Sequence, residues 1–335
     1  MTNIVKPDTL YEVQPDGRWA FFLDNSKLAA FGSCEWLFRY RYIQNIRPKG
    51  KSYPMSIGSW WSLVLERCYN DVANHKSLTQ ARAIQHAVAA WKEMKMDELK
   101  QYAPKKFESF GGAAGAVVMI DEYWRDYAQH DQQRWNIVAA EAGFGRKREV
   151  CIGENDRVVV YYIGKPDLFI INDGRLIPLD HKTVNNIRSD LTKKYKPHPQ
   201  MQGYIVVGEV LARQLGYDVT VDRCIMNIAG RTPPSDKPRD GVKKARFIRI
   251  HPGYSRDELA EWRSQTLLKV TRLRHVLETD EWTRNEAACH LYAGCDYRGI
   301  DSVTPSARPD IINAGFVKVE PWVPYEVEED DENGF

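Results

Sequence analysis

The chain has 335 residues, 43% of them hydrophobic and 27% charged, with 47 basic and 45 acidic side chains. Such a composition excludes a disordered chain, and the length allows one large domain or two small ones. No apolar run approaches the roughly eighteen residues of a membrane span, and the N-terminal stretch lacks a signal peptide's apolar core, so a cytoplasmic protein is expected.

The net charge of +2 is unevenly placed: six acids and no base fall in residues 326–335, which leaves about +8 on the rest. Basic clusters at Lys193, Lys194 and Lys196, and from Arg231 onward to Arg249, suit a phosphate backbone. Six cysteines in a cytoplasmic setting are expected to be free, buried or metal-bound rather than paired.

In chain order, residues 1–25 are aromatic and read as an arm or edge hairpin around Pro15-Asp16-Gly17. Ser26 is expected to cap a helix carrying Leu28, Phe31, Trp36, Leu37, Phe38 and Tyr40, with Arg39, Arg41 and Arg47 interleaved. A second helix opens at Gly58-Ser-Trp-Trp-Ser62, and apolar residues recur at helical spacing over 78–102 and 112–135. Glu141 follows a short apolar run and precedes two segments, 148–152 and 157–163, whose β-branched and aromatic content predicts strands. Further strands are expected over 219–228 and 245–250, joined by a basic, proline-rich loop at 230–241. Residues 257–279 read as a long amphipathic helix, and Cys68, Cys151 and Cys224 as core. Residues 303–335 show no strong period and end in an acidic tail. No phosphate-cradling glycine loop occurs, so no nucleotide-driven motor is built in.

The chemistry concentrates in residues 164–183. Two apolar runs, 168–171 and 176–179, are joined by Asn172-Asp173-Gly174, residues that tolerate the positive φ of a tight hairpin turn. Asp167 stands before the first run and Asp180 closes the second, so antiparallel pairing brings the two carboxylates side by side. Lys182 is two residues past Asp180 and therefore on the same face of the strand. Two acids and an amine at one strand end suit a divalent cation with a phosphate. Downstream, Gln200 and Tyr204 are four apart on one face of an apolar helix, near the N-terminal end that favours phosphate.

Asp167, then Asp180-x-Lys182, then Gln200-x-x-x-Tyr204 resemble the PD-(D/E)XK nuclease superfamily, and within it the RecB-like branch of exonucleases and phage nucleases. The segment from Ser26 through Phe31, Cys34 and Phe38 to Tyr40 is similar to that branch's N-terminal motif, and Cys289-x5-Cys295-Asp-Tyr297 to its C-terminal one. The resemblance spans residues 26–300. It implies an α/β fold, a mixed central sheet with flanking helices, divided into a helical part (26–136), a catalytic core (137–251) and a C-terminal helix with the cysteine segment (252–300). An N-terminal arm (1–25) and a C-terminal segment (301–335) flank it.

The implied activity is metal-dependent hydrolysis of single- or double-stranded DNA, exonucleolytic, in recombination, repair or phage DNA metabolism. A structure-specific endonuclease and a nuclease-fold protein that only binds DNA remain alternatives. Asp167, Asp180 and the backbone carbonyl of His181 would bind Mg²⁺ or Mn²⁺, with Glu141 assisting; Lys182 would orient the attacking water, and Gln200 and Tyr204 would position phosphate or water. Lys193, Lys194, Lys196 and Arg231 would contact the DNA backbone. The branch usually has a metal-binding histidine where this chain has Ser62, so the metal would be held by fewer protein ligands or would recruit Glu66, one turn on. In several relatives four cysteines hold a [4Fe–4S] cluster. Cys34, Cys289 and Cys295 match, but the fourth place is Asp301, so reduced thiols rather than a cluster are expected.

Overall fold

In the computed structural model, residues 10–50, 52–140, 149–188, 190–191, 196–214, 216–234, 245–290 and 294–321 are described. Strands β1 (Tyr11–Val13) and β2 (Trp19–Leu23) precede helix α1 (Asn25–Ser33) and β3 (Ile46–Pro48). Helices α2 (Tyr53–Ala73), α3 (Gln80–Glu93) and α4 (Gly112–Tyr123) lead to β4 (Asn136–Ala140), β5 (Glu149–Glu154) and β6 (Val158–Ile163). The hairpin β7 (Leu168–Asn172) and β8 (Arg175–Val184) follows, then α5 (Pro199–Gln214), β9 (Ile225–Gly230) and β10 (Phe247–Ile250). Helix α6 (Arg256–Thr279), helix α7 (Arg308–Gly315) and β11 (Phe316–Lys318) come last. The fold is mixed α/β, as expected.

The chain forms two compact units, one from residues 51–144 and 165–255, the other from 1–50, 145–164 and 256–335. In the first, five strands pair in the order β10-β9-β8-β7-β4, all antiparallel except β8 with β9. Asp173 and Gly174, with φ of 50° and 69°, make the two-residue turn that joins β7 to β8 and sets the pairing Leu168 with Leu179. Both residues at positive φ give the turn type whose twist matches paired strands. The parallel partner β9 is reached through α5, because parallel strands require a long crossover. One sheet face buries Leu168, Ile170 and Leu179 completely, at roughly 1.5–3 kcal/mol each, against Trp60, Trp61 and Val64 of α2, Trp91 of α3 and Ile120 of α4.

In the second unit β1 and β2 form the expected hairpin, but β2 continues into a four-stranded sheet, β1-β2-β6-β5. The segments 148–152 and 157–163, placed by the resemblance in the core 137–251, join a different sheet from the 167–182 hairpin: β6 pairs in parallel with the aromatic strand β2, with Phe21 opposite Val160, and among the described residues β5 pairs with β6. The first strand of the hairpin's own sheet is β4, the apolar run before Glu141. Helix α6 covers β5 and β6, with Trp262 edge-on to Tyr162 at 5.3 Å. Tyr297 stacks between Tyr40 and Phe316, each 5.5 Å away, beside the β3–β11 pair. That pair, with α7, supplies structure in residues 303–318 that no periodicity announced.

Three local expectations change. Asp24, not Ser26, caps α1, because its carboxylate accepts from the Lys27 N–H at 2.9 Å. Helix α2 starts at Tyr53, one residue before Pro54, rather than at Gly58. Helix 78–102 breaks after α3 at Lys95, whose φ is 50°. Cys68 and Cys224 are buried, but Cys151 is exposed. No helix among the described residues is long and apolar enough to cross a membrane.

Candidate active site

The β7–β8 pairing ends at Leu168 and Leu179, so the next residue pair outward is Asp167 and Asp180. Strand β8 does not stop there, as the sequence suggested. It runs on to Val184 because β9 pairs with it through Asp180, His181 and Lys182. Beyond Leu179 the strand therefore keeps one ladder partner, β9, and on the other edge meets a side chain: Asp167 Oδ2 accepts the His181 backbone N–H at 2.6 Å.

On the face toward α5, Asp180 is 3% exposed, and Lys182 Nζ lies 2.6 Å from its Oδ2. The other oxygen, Oδ1, accepts from Gln200 Nε2 at 3.3 Å and lies 3.1 Å from the Tyr204 hydroxyl. That hydroxyl accepts from Gln200 Nε2 at 2.7 Å and shares its one proton between Asp180 and the Lys165 carbonyl, 3.2 Å away. Helical spacing makes this possible: Gln200 and Tyr204 occupy successive turns on the first half of α5. The structure thus joins Asp167, Asp180, Lys182, Gln200 and Tyr204 in one constellation.

His181 turns the other way. Its imidazole is buried, stacks on Tyr69 with ring centroids 5.8 Å apart, and pairs through Nδ1 with Asn227 Nδ2 at 2.8 Å. Burial first, then the Arg249 and Lys182 charges, push its pKa well below the usual histidine range, so the ring is neutral. Its contribution on the acidic edge is its peptide. In an extended strand the N–H and C=O of one residue point to the same edge, so the His181 carbonyl shares the open edge with Asp167.

Two carboxylates and a carbonyl are hard oxygen donors, the set that suits Mg²⁺ or Mn²⁺. Among the described residues no group of three or more His, Cys, Asp or Glu side chains is arranged to hold a metal. Glu141 lies outside the described residues. Ser62 and Glu66 are half-buried on α2, on the helical stripe that carries Gly58 and Tyr69. Gly58 faces Thr183 of β8, with 3.4 Å between its added Cβ position and Thr183 Oγ1, and Tyr69 faces His181.

His198, immediately before α5, was not singled out from the sequence. It is half-buried, and its pKa is lowered by burial and by the Lys182 charge, against an opposing effect of Asp180; it lies in the field of both site residues. Its signal was a histidine just ahead of the Pro199-Gln200 helix start. Of the expected DNA contacts, Lys196 is exposed, donates to the Gly253 carbonyl at 2.9 Å and lies over Tyr254. Arg231 follows β9 immediately and donates to the carbonyl and hydroxyl of Thr183, each at 3.2 Å. Lys193 and Lys194 lie outside the described residues.

In the other unit Cys34 is buried and Cys289 and Cys295 are half-buried, all three as free thiols. The Cys295 N–H donates to the Cys289 carbonyl at 3.1 Å. Burial raises the Cys295 thiol pKa, and the nearby Cys289 and Cys34 sulfurs add to the rise. Asp301, at the place of a fourth thiolate, accepts from the Tyr40 hydroxyl at 2.8 Å and from Arg284 at 3.0 Å.

The family model of the PD-(D/E)XK nuclease superfamily matches residues 25–300. No curated protein matches the chain.

Proposed function

This chain belongs to the PD-(D/E)XK nuclease superfamily, and from that premise we propose that it hydrolyses DNA phosphodiester bonds with Mg²⁺ or Mn²⁺, as a RecB-like exonuclease. The observation that carries the reading is the seating of the Lys182 ammonium on Asp180 at the strand end where Asp167 stands opposite. A bound metal supplies Lewis-acid polarisation of the phosphate and a lowered pKa for the attacking water. Asp167, Asp180 and the His181 carbonyl are assigned as its ligands, with Glu141 completing the set and Glu66 as the substitute for the histidine replaced by Ser62.

Lys182 is assigned to orient the water and to offset charge on the phosphate; Asp180 is the counter-ion that holds its ammonium there. Gln200 keeps the Asp180 Oδ1 and the Tyr204 hydroxyl fixed relative to each other, which leaves the carboxylate little freedom to turn. Lys193, Lys194, Lys196 and Arg231 are assigned to the DNA backbone, where each phosphate contact adds sequence-independent, salt-sensitive affinity. Exonuclease action is supported by the likeness of the N- and C-terminal motifs to an exonuclease-rich branch.

The test is cleavage of end-labelled single- and double-stranded DNA, linear and circular, with Mg²⁺, Mn²⁺ or chelator. Metal-dependent loss of linear DNA with circular DNA intact is expected. Cleavage of circles would make the enzyme an endonuclease, and metal-independent or absent cleavage would remove the proposed mechanism.

A further inference from the structure

Behind the catalytic strand, on the sheet face away from Asp180, lies a buried polar cluster that the nuclease chemistry does not use. Arg249 grips Asp131 with two prongs, Nη1 to Oδ1 at 2.7 Å and Nη2 to Oδ2 at 2.5 Å. Its Nε donates to Asn227 Oδ1 at 3.2 Å, and its guanidinium lies over Tyr127 and Trp135 at 4.0 and 4.5 Å. Asn227, 1% exposed, donates from Nδ2 to the Tyr123 hydroxyl at 2.7 Å and to His181 Nδ1 at 2.8 Å. Tyr69 donates to Asp131 Oδ2 at 2.5 Å and accepts from Tyr123 at 2.8 Å.

The proton directions in this cluster follow one from another. Arginine only donates, so the Asn227 amide must turn its oxygen to Arg249 and its nitrogen to His181. His181 Nδ1 is then an acceptor, and the neutral ring carries its proton on Nε2. Arg249 thus dictates the tautomer and orientation of His181 through Asn227, with Tyr69 stacked on the ring as a wall.

His181 is the residue between Asp180 and Lys182, and among the described residues the strand past Leu179 has a ladder partner on one edge, β9. We propose that Asn227, backed by Arg249, is a positioning residue for the metal site: by holding the His181 side chain on one sheet face it fixes the peptide that, on the open edge, donates to Asp167 and presents its carbonyl. This rests on the metal-site reading above. Outer residues that orient a metal's ligands typically change metal affinity or activity by 10- to 100-fold when removed.

The full chain and Asn227→Leu, which keeps the volume but removes the polar contacts to Arg249, Tyr123 and His181, are compared by Mn²⁺ titration calorimetry, thermal unfolding without metal, and steady-state cleavage. The inference expects Mn²⁺ affinity and kcat each to fall at least about tenfold at a temperature where the variant is folded, with KM for DNA unchanged. A lower Tm with wild-type Mn²⁺ affinity and kcat would overturn it, because a merely structural residue behaves that way. If Asn227→Leu does not fold, His181→Phe keeps a ring against Tyr69 while deleting the Nδ1 acceptor; the same loss is expected, and unchanged Mn²⁺ affinity overturns the inference. A wild-type chain that binds no Mn²⁺ defeats the metal-site reading itself, whereas wild-type binding with an indifferent variant defeats only the positioning role.

Discussion

Two charged regions of this molecule use similar residue types to opposite ends. At the end of the β7–β8 hairpin, strand pairing sets the carboxylates of Asp167 and Asp180 side by side, with the Lys182 ammonium seated on Asp180. Around Trp36, by contrast, each of three acids is paired with an arginine: Arg39 pairs with Asp280 at 3.0 Å, Arg272 with Glu35 at 2.9 Å and Arg284 with Asp301 at 3.0 Å. Arg39 and Arg284 also lie over the Trp36 ring, at 5.0 and 4.4 Å. The first arrangement sets two acids side by side; the second gives each acid its own arginine. Acids brought together by backbone pairing mark a candidate site, whereas acids each held by an arginine mark a staple.

The sharpest way to break the contrast is Asp180→Ala. Losing a ligand of a metal that contributes several kcal/mol to the transition state should reduce cleavage by roughly 10³-fold or more. Thermal stability without metal should hold, because removing one of two adjacent acids relieves repulsion while freeing Lys182, which is partly exposed. Activity and unfolding measured side by side check this, and near-normal cleavage would end the assignment of Asp180.

Lys182→Ala should reduce kcat by about 10²-fold, the scale of one electrostatic group aimed at developing charge. DNA affinity, spread over many basic residues, should barely move. Equal losses in turnover and binding would make Lys182 a phosphate contact instead. Tyr204→Phe removes one hydroxyl from the Asp180–Gln200 network; an effect of ~1 kcal/mol, or about fivefold to tenfold in kcat, is expected. A variant indistinguishable from wild type would leave Gln200 alone as the support of Asp180.

The smallest effect belongs to the staple. Asp301→Ala removes the Tyr40 hydrogen bond and a partly exposed ion pair, about 1 kcal/mol together, lowering Tm by about 2 °C without altering cleavage below that temperature. Protein purified without oxygen should contain no stoichiometric iron, because Asp301 is engaged by Tyr40 and Arg284. Stoichiometric iron, or a collapse of folding in Asp301→Ala, would show that this region works as a metal site after all.

The β7–β8 hairpin with its candidate site residues was legible in the sequence because its determinants are local. Asn172-Asp173-Gly174 dictates the turn, the turn dictates the register, and a strand period of two puts Asp180 and Lys182 on one face beside Asp167. Gln200 and Tyr204 were legible for the same reason, through a helix period. The long helix at 257–279 and the hairpin around Gly17 likewise depend only on neighbours a few residues away. What the tertiary structure alone decided is which partner each strand finds: β6 joins β2, residues distant in the chain, so the strands at 148–163 leave the catalytic sheet. The same holds for the cluster of Asp131, Asn227 and Arg249 behind His181, gathered from a helix and two strands far apart in the chain. Each reads as an ordinary polar residue, because a buried hydrogen-bond network is defined by which groups lose water together, and no spacing within one segment records that.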